Sequence, residues 1–207
     1  MEEPYHCMFA ACLKGQEKFA FTTLESLKPV KTFSGYQYRL TFMVSRRNPT
    51  AGVCWLHTLA SAMTIKIWAL DQDEWLHDLV HNEIVHTVRW SPTGPCSKNI
   101  NKPYCVLASG SKDKTVKVWD CFHGQLLYCF NGHRAAVIEL EFRPDGEYLA
   151  SASDDKCLLI WNIRYGKIMK SYNSCDTSIY NLSWDKEGNL ITAGSDYGTL
   201  CVVDVTF

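Results

Sequence analysis

Among the side chains able to move a proton, His133 and Asp155 occupy the most catalytic-looking positions of this 207-residue chain. A His that takes a proton and a carboxylate that orients it are the ordinary parts of acid–base chemistry. Yet seven His and 22 carboxylates are scattered on a regular grid, so no single acid–base pair stands apart. Nor does the chain contain a Gly-x-x-x-x-Gly-Lys phosphate loop, a Gly-x-Ser-x-Gly elbow or a His-Glu-x-x-His pair. Ten cysteines contain no Cys-x-x-Cys pair, which argues against structural zinc. The sequence reads as non-enzymatic, with no catalytic residue, cofactor, metal or small-molecule substrate expected.

Composition narrows the class further. With 46% hydrophobic and 21% charged residues the chain can bury a core. Its net charge of −1 leaves no global footprint for direct, sequence-specific nucleic-acid binding. No apolar run approaches the roughly 20 residues of a membrane span. Met1-Glu2-Glu3 is acidic where a secretory leader is basic. The cysteines are therefore expected to be intracellular thiols rather than a disulfide framework.

The elements that must position His133 and Asp155 come from a repeat. Val106-Leu-Ala-Ser-Gly-Ser-Lys-Asp-Lys-Thr-Val-Lys-Val-Trp-Asp120 aligns without a gap on Tyr148-Leu-Ala-Ser-Ala-Ser-Asp-Asp-Lys-Cys-Leu-Leu-Ile-Trp-Asn162, 42 residues on. A third copy runs from Leu190 to Asp204 and reads as carrying one extra residue in its turn. Such a period fits a four-stranded propeller blade of roughly 40–45 residues. Within a copy, Val137 to Phe142 alternates, Arg143-Pro-Asp-Gly146 turns, and Leu149 to Ser153 and Cys157 to Trp161 follow as strands, with Gly166 to Tyr172 as the fourth. Trp90 and Trp119 stand 29 apart whereas Phe142 and Trp161 stand 19 apart, so residues 95–104 are an insertion of ten. The expected fold is all-β: propeller blades, about three clear and one degenerate, forming an incomplete propeller.

These residues resemble a family. Gly132-His133, Ser151, Asp155 and Trp161 look like the His–Ser–Asp–Trp hydrogen-bonded set of WD repeats, and His81, Ser109, Asp113 and Trp119 supply a second set, with Val80 standing for the Gly. The last copy lacks the His and has Val203 for the Trp. More narrowly, Trp90-Ser-Pro-Thr-Gly-Pro95, the insertion after it, Phe142-Arg-Pro-Asp-Gly-Glu-Tyr-Leu-Ala-Ser-Ala-Ser153 and Cys201-Val-Val-Asp204 resemble the C-terminal half of the transducin-β-like corepressor subunits over roughly residues 28–207. Phe130-Asn-Gly-His-Arg134 and Trp184-Asp-Lys-Glu-Gly188 are closer to the plant member of that family. The resemblance implies a nuclear scaffold for a histone deacetylase corepressor complex, with contacts to histones, and in plants a substrate receptor of a cullin-RING ubiquitin ligase. Family members also carry a LisH segment and about eight blades, so a truncated, non-functional remnant is a third reading.

The organisation that follows is an unassigned segment 1–27, a degenerate repeat 28–70, a repeat 71–122 with the insertion at 95–104, a repeat 123–164 and a terminal repeat 165–207. Tyr36 stands where His belongs, Tyr38 to His57 loses the alternation, and Leu59-Ala-Ser-Ala-Met-Thr-Ile-Lys-Ile-Trp68 reads as three residues short, without the turn Asp. Residues 36–63 are therefore expected to be irregular, because a shortened turn cannot keep strand register. His86, Ile138 and Tyr180 fall at equivalent strand starts facing the central channel and are the expected partner-binding positions, against ordinary strand packing. Lys112, Lys114, Arg134 and Lys156 cluster near the Asp turns, where they could meet acidic partners or simply be solvated. Trp161 and Arg164 in Ile160-Trp-Asn-Ile-Arg164 resemble the box with which substrate receptors dock on a ligase adaptor, Arg being the anchor through its planar fork.

Overall fold

A computed structural model describes backbone and side chains for residues 63–67, 75–92, 106–173, 178–195 and 198–206, and backbone strands for 8–12, 18–23, 29–34, 40–47, 54–60 and 68–69. The described residues form strands and turns, with no helix. The insertion at 95–104 lies outside them.

Strands β1 (Met8–Cys12), β2 (Lys18–Thr23) and β3 (Pro29–Ser34) pair as one antiparallel sheet. Strands β4 (Leu40–Arg47), β5 (Cys54–Ala60), β6 (Thr64–Ala69) and β7 (Trp75–Val80) form the second. The third contains β8 (Val85–Trp90), β9 (Val106–Ser111), β10 (Thr115–Asp120) and β11 (Gln125–Asn131). The fourth contains β12 (Val137–Phe142), β13 (Tyr148–Ser153), β14 (Leu158–Asn162) and β15 (Lys167–Tyr172). The fifth has three strands, β16 (Ile179–Trp184), β17 (Leu190–Ser195) and β18 (Leu200–Asp204). Each sheet runs in chain order, and β12 packs between β8 and β16, so the first strands of successive sheets are neighbours. Strands in this order, with the second to fifth sheets stacked each on the next, are propeller blades in an arc that does not close.

Among the described residues three cores lie between sheets rather than within them. Ile65, Ile67 and Leu79 meet Val88, Trp90, Leu107 and Trp119. Val116, Val118 and Phe130 meet Leu140, Phe142, Leu149 and Trp161. Ala150, Leu158 and Ile160 meet Ile179, Leu182 and Ile191. Alternate residues of an inner strand thus face opposite neighbours, and every residue of β14 is buried. Its counterpart β18 has neighbours on one face only: Leu200 is 67% and Val202 61% exposed, at the positions where β14 buries Leu158 and Ile160.

Backbone register corrects three expectations. The third copy has no extra residue: Gly194 pairs with Leu200 as Ala152 pairs with Leu158 and Gly110 with Val116, six residues apart each time. Residues 36–63 are not irregular where described, since β4 and β5 pair along their length with one bulge between Leu40 and Phe42, at eight and seven residues against six and five for β13 and β14. The hairpin is not three residues short either. Leu56, not Leu59, pairs with Trp68, twelve residues on, as Leu107 pairs with Trp119 and Leu149 with Trp161. The Leu-Ala-Ser at 59–61 is a coincidental copy of Leu107-Ala-Ser109, offset by three. What sets the register is Ile65-Lys-Ile67, both Ile fully buried, in the places of Val116 and Val118. Residues 1–27, assigned to no repeat, contain β1 and β2.

The aligned turns carry a prediction. Lys114 and Lys156 adopt left-handed backbone at φ 71° and 68°, and the equivalent residue of the last sheet is Gly198 at φ 74°. A side chain in that region costs about 1–2 kcal/mol, offset by the greater freedom of Gly in the unfolded chain. Lys156→Gly should raise the urea-unfolding free energy by roughly 0.5–1 kcal/mol; a loss of stability would show that lysine side-chain contacts outweigh the strain. The uncovered face of β18 should in turn make the chain associate as concentration rises. Light scattering should show this, and Leu200→Lys should reduce it; a monodisperse wild-type monomer contradicts the expectation.

Candidate functional site

Each set singled out in the sequence is brought together by four elements: the segment after an outer strand, the strand before a hairpin turn, the turn itself, and the strand after it. His81 Nδ1 lies 3.0 Å from Asp113 Oδ2 and its Nε2 2.7 Å from Ser109 Oγ, to which the Trp119 indole N–H donates at 2.8 Å. In the next sheet His133 Nδ1 is 3.0 Å from Asp155 Oδ2, its Nε2 is 2.7 Å from Ser151 Oγ, and Trp161 donates to Ser151 Oγ at 2.7 Å. One polarity satisfies every group: indole N–H to hydroxyl oxygen, hydroxyl O–H to His Nε2, His Nδ1–H to carboxylate. The carboxylates also close the turns. Asp113 accepts from the backbone N–H groups of Thr115 and Asn82, and Asp155 from those of Cys157 and Arg134.

This is the connectivity of a hydrolytic Ser–His–Asp triad, but the site cannot act as one. Ser109 and Ser151 are completely buried, as are the side chains of His81 and His133, so no carbonyl can approach either hydroxyl. Each Ser oxygen also accepts an indole N–H, which occupies one of its two lone pairs and lowers its nucleophilicity. Protonation fits a strut. Burial pushes both His below their ordinary value, against the opposing pull of their Asp partners. Hydrogen bonds from Thr115, His81 and Asn82 more than offset burial at Asp113 and hold it at about 2, and Asp155 is likewise lowered despite burial by bonds from Arg134, Cys157 and His133. The imidazoles are neutral and the carboxylates charged.

Small residues make the struts possible. A Cβ on Gly132 would lie 2.7 Å from Trp161 Cη2, so the chain before His133 rests on the indole edge. The preceding loop solves this differently. Val80 pairs with Thr64 as Asn131 pairs with Thr115, so Val80 corresponds to Asn131 and the Gly is absent rather than replaced.

His86, Ile138 and Tyr180 share one feature of backbone geometry. The register slips between Val85 and Thr87, between Val137 and Glu139, and between Ile179 and Asn181, so each stands at the β-bulge opening the first strand of its sheet. Bulges re-aim side chains; Tyr180 is 44% exposed, and His86 and Ile138 are half-buried. Lys112 N–H donates to the Ile84 carbonyl at 2.8 Å, two residues before His86, and Asp154 N–H to the Ala136 carbonyl at 3.0 Å, two before Ile138. Burial lowers the His86 pKa, with Asp154 raising it and Lys112 lowering it, so that ring is within electrostatic reach of both turns. Lys112, Lys114, Arg134 and Lys156 are all exposed, at or beside these turns. Bulges and cations therefore share one rim. Trp161 is buried in its strut, while Arg164 is exposed in the turn at the other end of β14, where Asn162 Oδ1 accepts the N–H groups of Arg164 and Tyr165 at 2.9 and 3.0 Å.

Two groups escaped sequence reasoning. Arg89 of β8 bridges to Glu139 at 2.6 Å and Glu141 at 3.3 Å on β12, tying neighbouring first strands; burial raises both carboxyl pKa values while Arg89 pulls them down. The signal was charged residues alternating with buried ones in both strands, but nothing along the chain pairs residues 50 apart. Ser111 is the other: its hydroxyl donates to the Ile84 carbonyl at 3.0 Å and accepts the Asp113 N–H at 3.1 Å.

Comparison with known proteins agrees with this geometry. The family model described as WD domain, G-beta repeat matches residues 74–120, 124–162 and 166–204. The chain is 43% identical over 123 residues to WD40 repeat-containing protein HOS15 of Arabidopsis thaliana, covering 59% of this chain and 19% of that protein. It is 33% identical over 125 residues to nuclear distribution protein PAC1 of Arthroderma benhamiae, covering 58% and 25%. Against transcription initiation factor TFIID subunit 5 of Caenorhabditis elegans it is 32% identical over 75 residues, covering 36% and 11%. The matched segment thus spans a quarter or less of each relative.

The struts predict an acid response. Folded His81 and His133 resist protonation relative to the unfolded chain, so their contribution is present at neutral pH and falls as pH drops below about 6.5. Asp113 adds a second loss as pH falls from 3.8 toward about 2. Denaturation midpoints should decline from pH 7.5 to 5.5, less steeply in His133→Gln; a flat profile contradicts the assignment. Asp155→Ala, which leaves a buried donor unpaired, should cost about 1–3 kcal/mol.

Proposed function

The chain belongs to the WD domain, G-beta repeat family and is built as a protein-interaction scaffold, and we propose that the assembly it serves is a nuclear transcription corepressor complex carrying histone deacetylases. The observation that carries this reading is the repetition of one architecture: bulged residues His86 and Ile138, half-buried, and Tyr180, exposed, opening three successive sheets beside the exposed Lys112, Lys114, Arg134 and Lys156. A row of equivalent positions suits an extended partner segment, and the flanking cations suit acidic partners, including histone-bound complexes. The corepressor assignment rests on the stretches from Trp90 to Pro95 and from Phe142 to Ser153 that resemble the transducin-β-like subunits. It is compatible with the 43% identity to HOS15. Direct DNA contact, a membrane and a small substrate have no part in it.

A second reading places the chain as substrate receptor of a cullin-RING ligase. Arg164 favours it: its backbone is held by Asn162, and its side chain is exposed at the end opposite the bulges, leaving that row free for substrate. The remnant reading loses one of its supports, since the hairpin at 54–69 is not shortened.

Capture of nuclear proteins by the tagged chain separates the readings. Tyr180→Ala should weaken recovery of deacetylase subunits about thirtyfold in affinity, as for an interface aromatic worth 2 kcal/mol or more, and leave unfolding unchanged. Arg164→Ala should leave that recovery intact. If Tyr180→Ala binds as wild type while Arg164→Ala loses a ligase adaptor, the corepressor assignment gives way to the receptor one.

A further inference from the structure

A groove of about 510 Å³ opens on the outer side of the arc between the third and fourth sheets, sharing the Trp161 ring with the strut but lying apart from the bulged rim. Its floor is aromatic: Phe130 stacks on Trp161 with centroids 4.9 Å apart and planes at 12°, and Tyr128 stacks behind Phe130 at 5.6 Å. One wall is β11 at Cys129, and the other is Gly166, Lys167 and Ile168 at the start of β15. Gly166 helps keep the groove open, since a Cβ there would touch Tyr128 at 3.4 Å. Ile168, 44% exposed, extends the apolar surface outward.

The same place in the preceding pair of sheets is built shut. By register Cys129 corresponds to Asp78 and Tyr128 to His77, because β7 pairs with β6 as β11 pairs with β10. There Asp78 binds Lys66 at 2.9 Å, and His77 crowds the glycine equivalent to Gly166, with a Cβ on Gly124 falling 2.5 Å from its Nδ1. In the open groove no acid occupies that position, and neither β11 nor β15 contains an Asp or Glu. The cations are left over. Lys167 and Arg164 are exposed; Arg164 lies over Tyr165, and no described carboxylate pairs with either.

We propose that this groove docks a short extended segment of a partner protein in which an aliphatic or aromatic side chain is flanked by Asp or Glu. The apolar side chain packs on exposed Cys129 and Ile168 above the Phe130–Trp161 floor, whose rings are themselves buried. The carboxylates meet Lys167 at the groove and Arg164 in the adjoining turn, Arg through paired hydrogen bonds. The site is separate from the row at His86, Ile138 and Tyr180 and does not depend on the corepressor reading.

The probe is fluorescein-labelled acetyl-Asp-Asp-Leu-Phe-Asp-Asp-amide, titrated with the full chain and followed by anisotropy. The same peptide with Lys in place of every Asp is the control. The acidic peptide should bind, the basic one should not, and added salt should weaken binding. Cys129→Asp installs the residue type that the fold already carries at Asp78, so the sheet should tolerate it. It should lower affinity at least tenfold by placing a carboxylate in the groove, and Lys167→Glu should do likewise. Tyr180→Ala should bind the peptide as wild type, which separates this site from the bulged row. In the unmodified chain, saturating peptide should slow alkylation of Cys129 by iodoacetamide. Absence of binding, equal binding of both peptides, or wild-type affinity in both groove variants overturns the proposal.

Discussion

One neutral imidazole held between a buried hydroxyl and an ionised carboxylate ties each of the two complete struts together. Antiparallel ladders alone would leave the outer strand of one sheet free to shift against the inner hairpin of the next. Trp161, Ser151, His133 and Asp155 prevent that by passing donors in one direction through a site from which water is excluded. In such a place every member must be satisfied, since an unpaired buried polar group costs as much as several methylenes contribute. The need for a neutral His and a charged Asp follows directly, and so does the uselessness of the same atoms for hydrolysis.

Holding the sheet rigid has consequences at both its ends. At one end the Asp turns present Lys112, Lys114 and Lys156 beside the bulges, and those bulges lift His86, Ile138 and Tyr180 out of the regular ladder. At the other end Asn162 shapes the turn that exposes Arg164 and, through Gly166 at φ 65°, leaves room over Phe130 and Trp161. Trp161 thus belongs to two structures at once, donating its N–H inward to Ser151 and lending its ring to the groove floor. Functional surface here is what the strut leaves over after its own polar atoms are paired.

Apolar cohesion between sheets acts alongside the struts. Inner strands are apolar on both faces because each face meets a different neighbour, as β14 does, and the Arg89 link to Glu139 and Glu141 adds a polar seam among the first strands. The half-exposed β18 shows the same rule from the other side: its residues alternate because only one neighbour is there to bury them. Stability of such an array is shared between adjacent units rather than concentrated in one core.

Periodicity made much of this readable along the chain. The 42-residue step, the His–Ser–Asp–Trp types and the turn formers specify the strands after residue 106, because each short hairpin is a local object whose turn length and alternation set its own register. The two struts were legible for the same reason. Where motif residues are lost the local signal misleads: Leu59-Ala-Ser61 looks like the strand of a shortened hairpin, and only pairing of Leu56 with Trp68, enforced by burial of Ile65 and Ile67 against the next sheet, shows a turn of full length. The sequence by itself thus determined the strands, the turns and the struts, whose Ser, Asp and Trp recur at fixed separations while His81 stands ten residues further off than His133, across the insertion. Tertiary structure alone decided the bridge from Arg89 to Glu139 and the groove beside Cys129, since these join residues from different sheets, and no spacing along a chain encodes how two sheets meet.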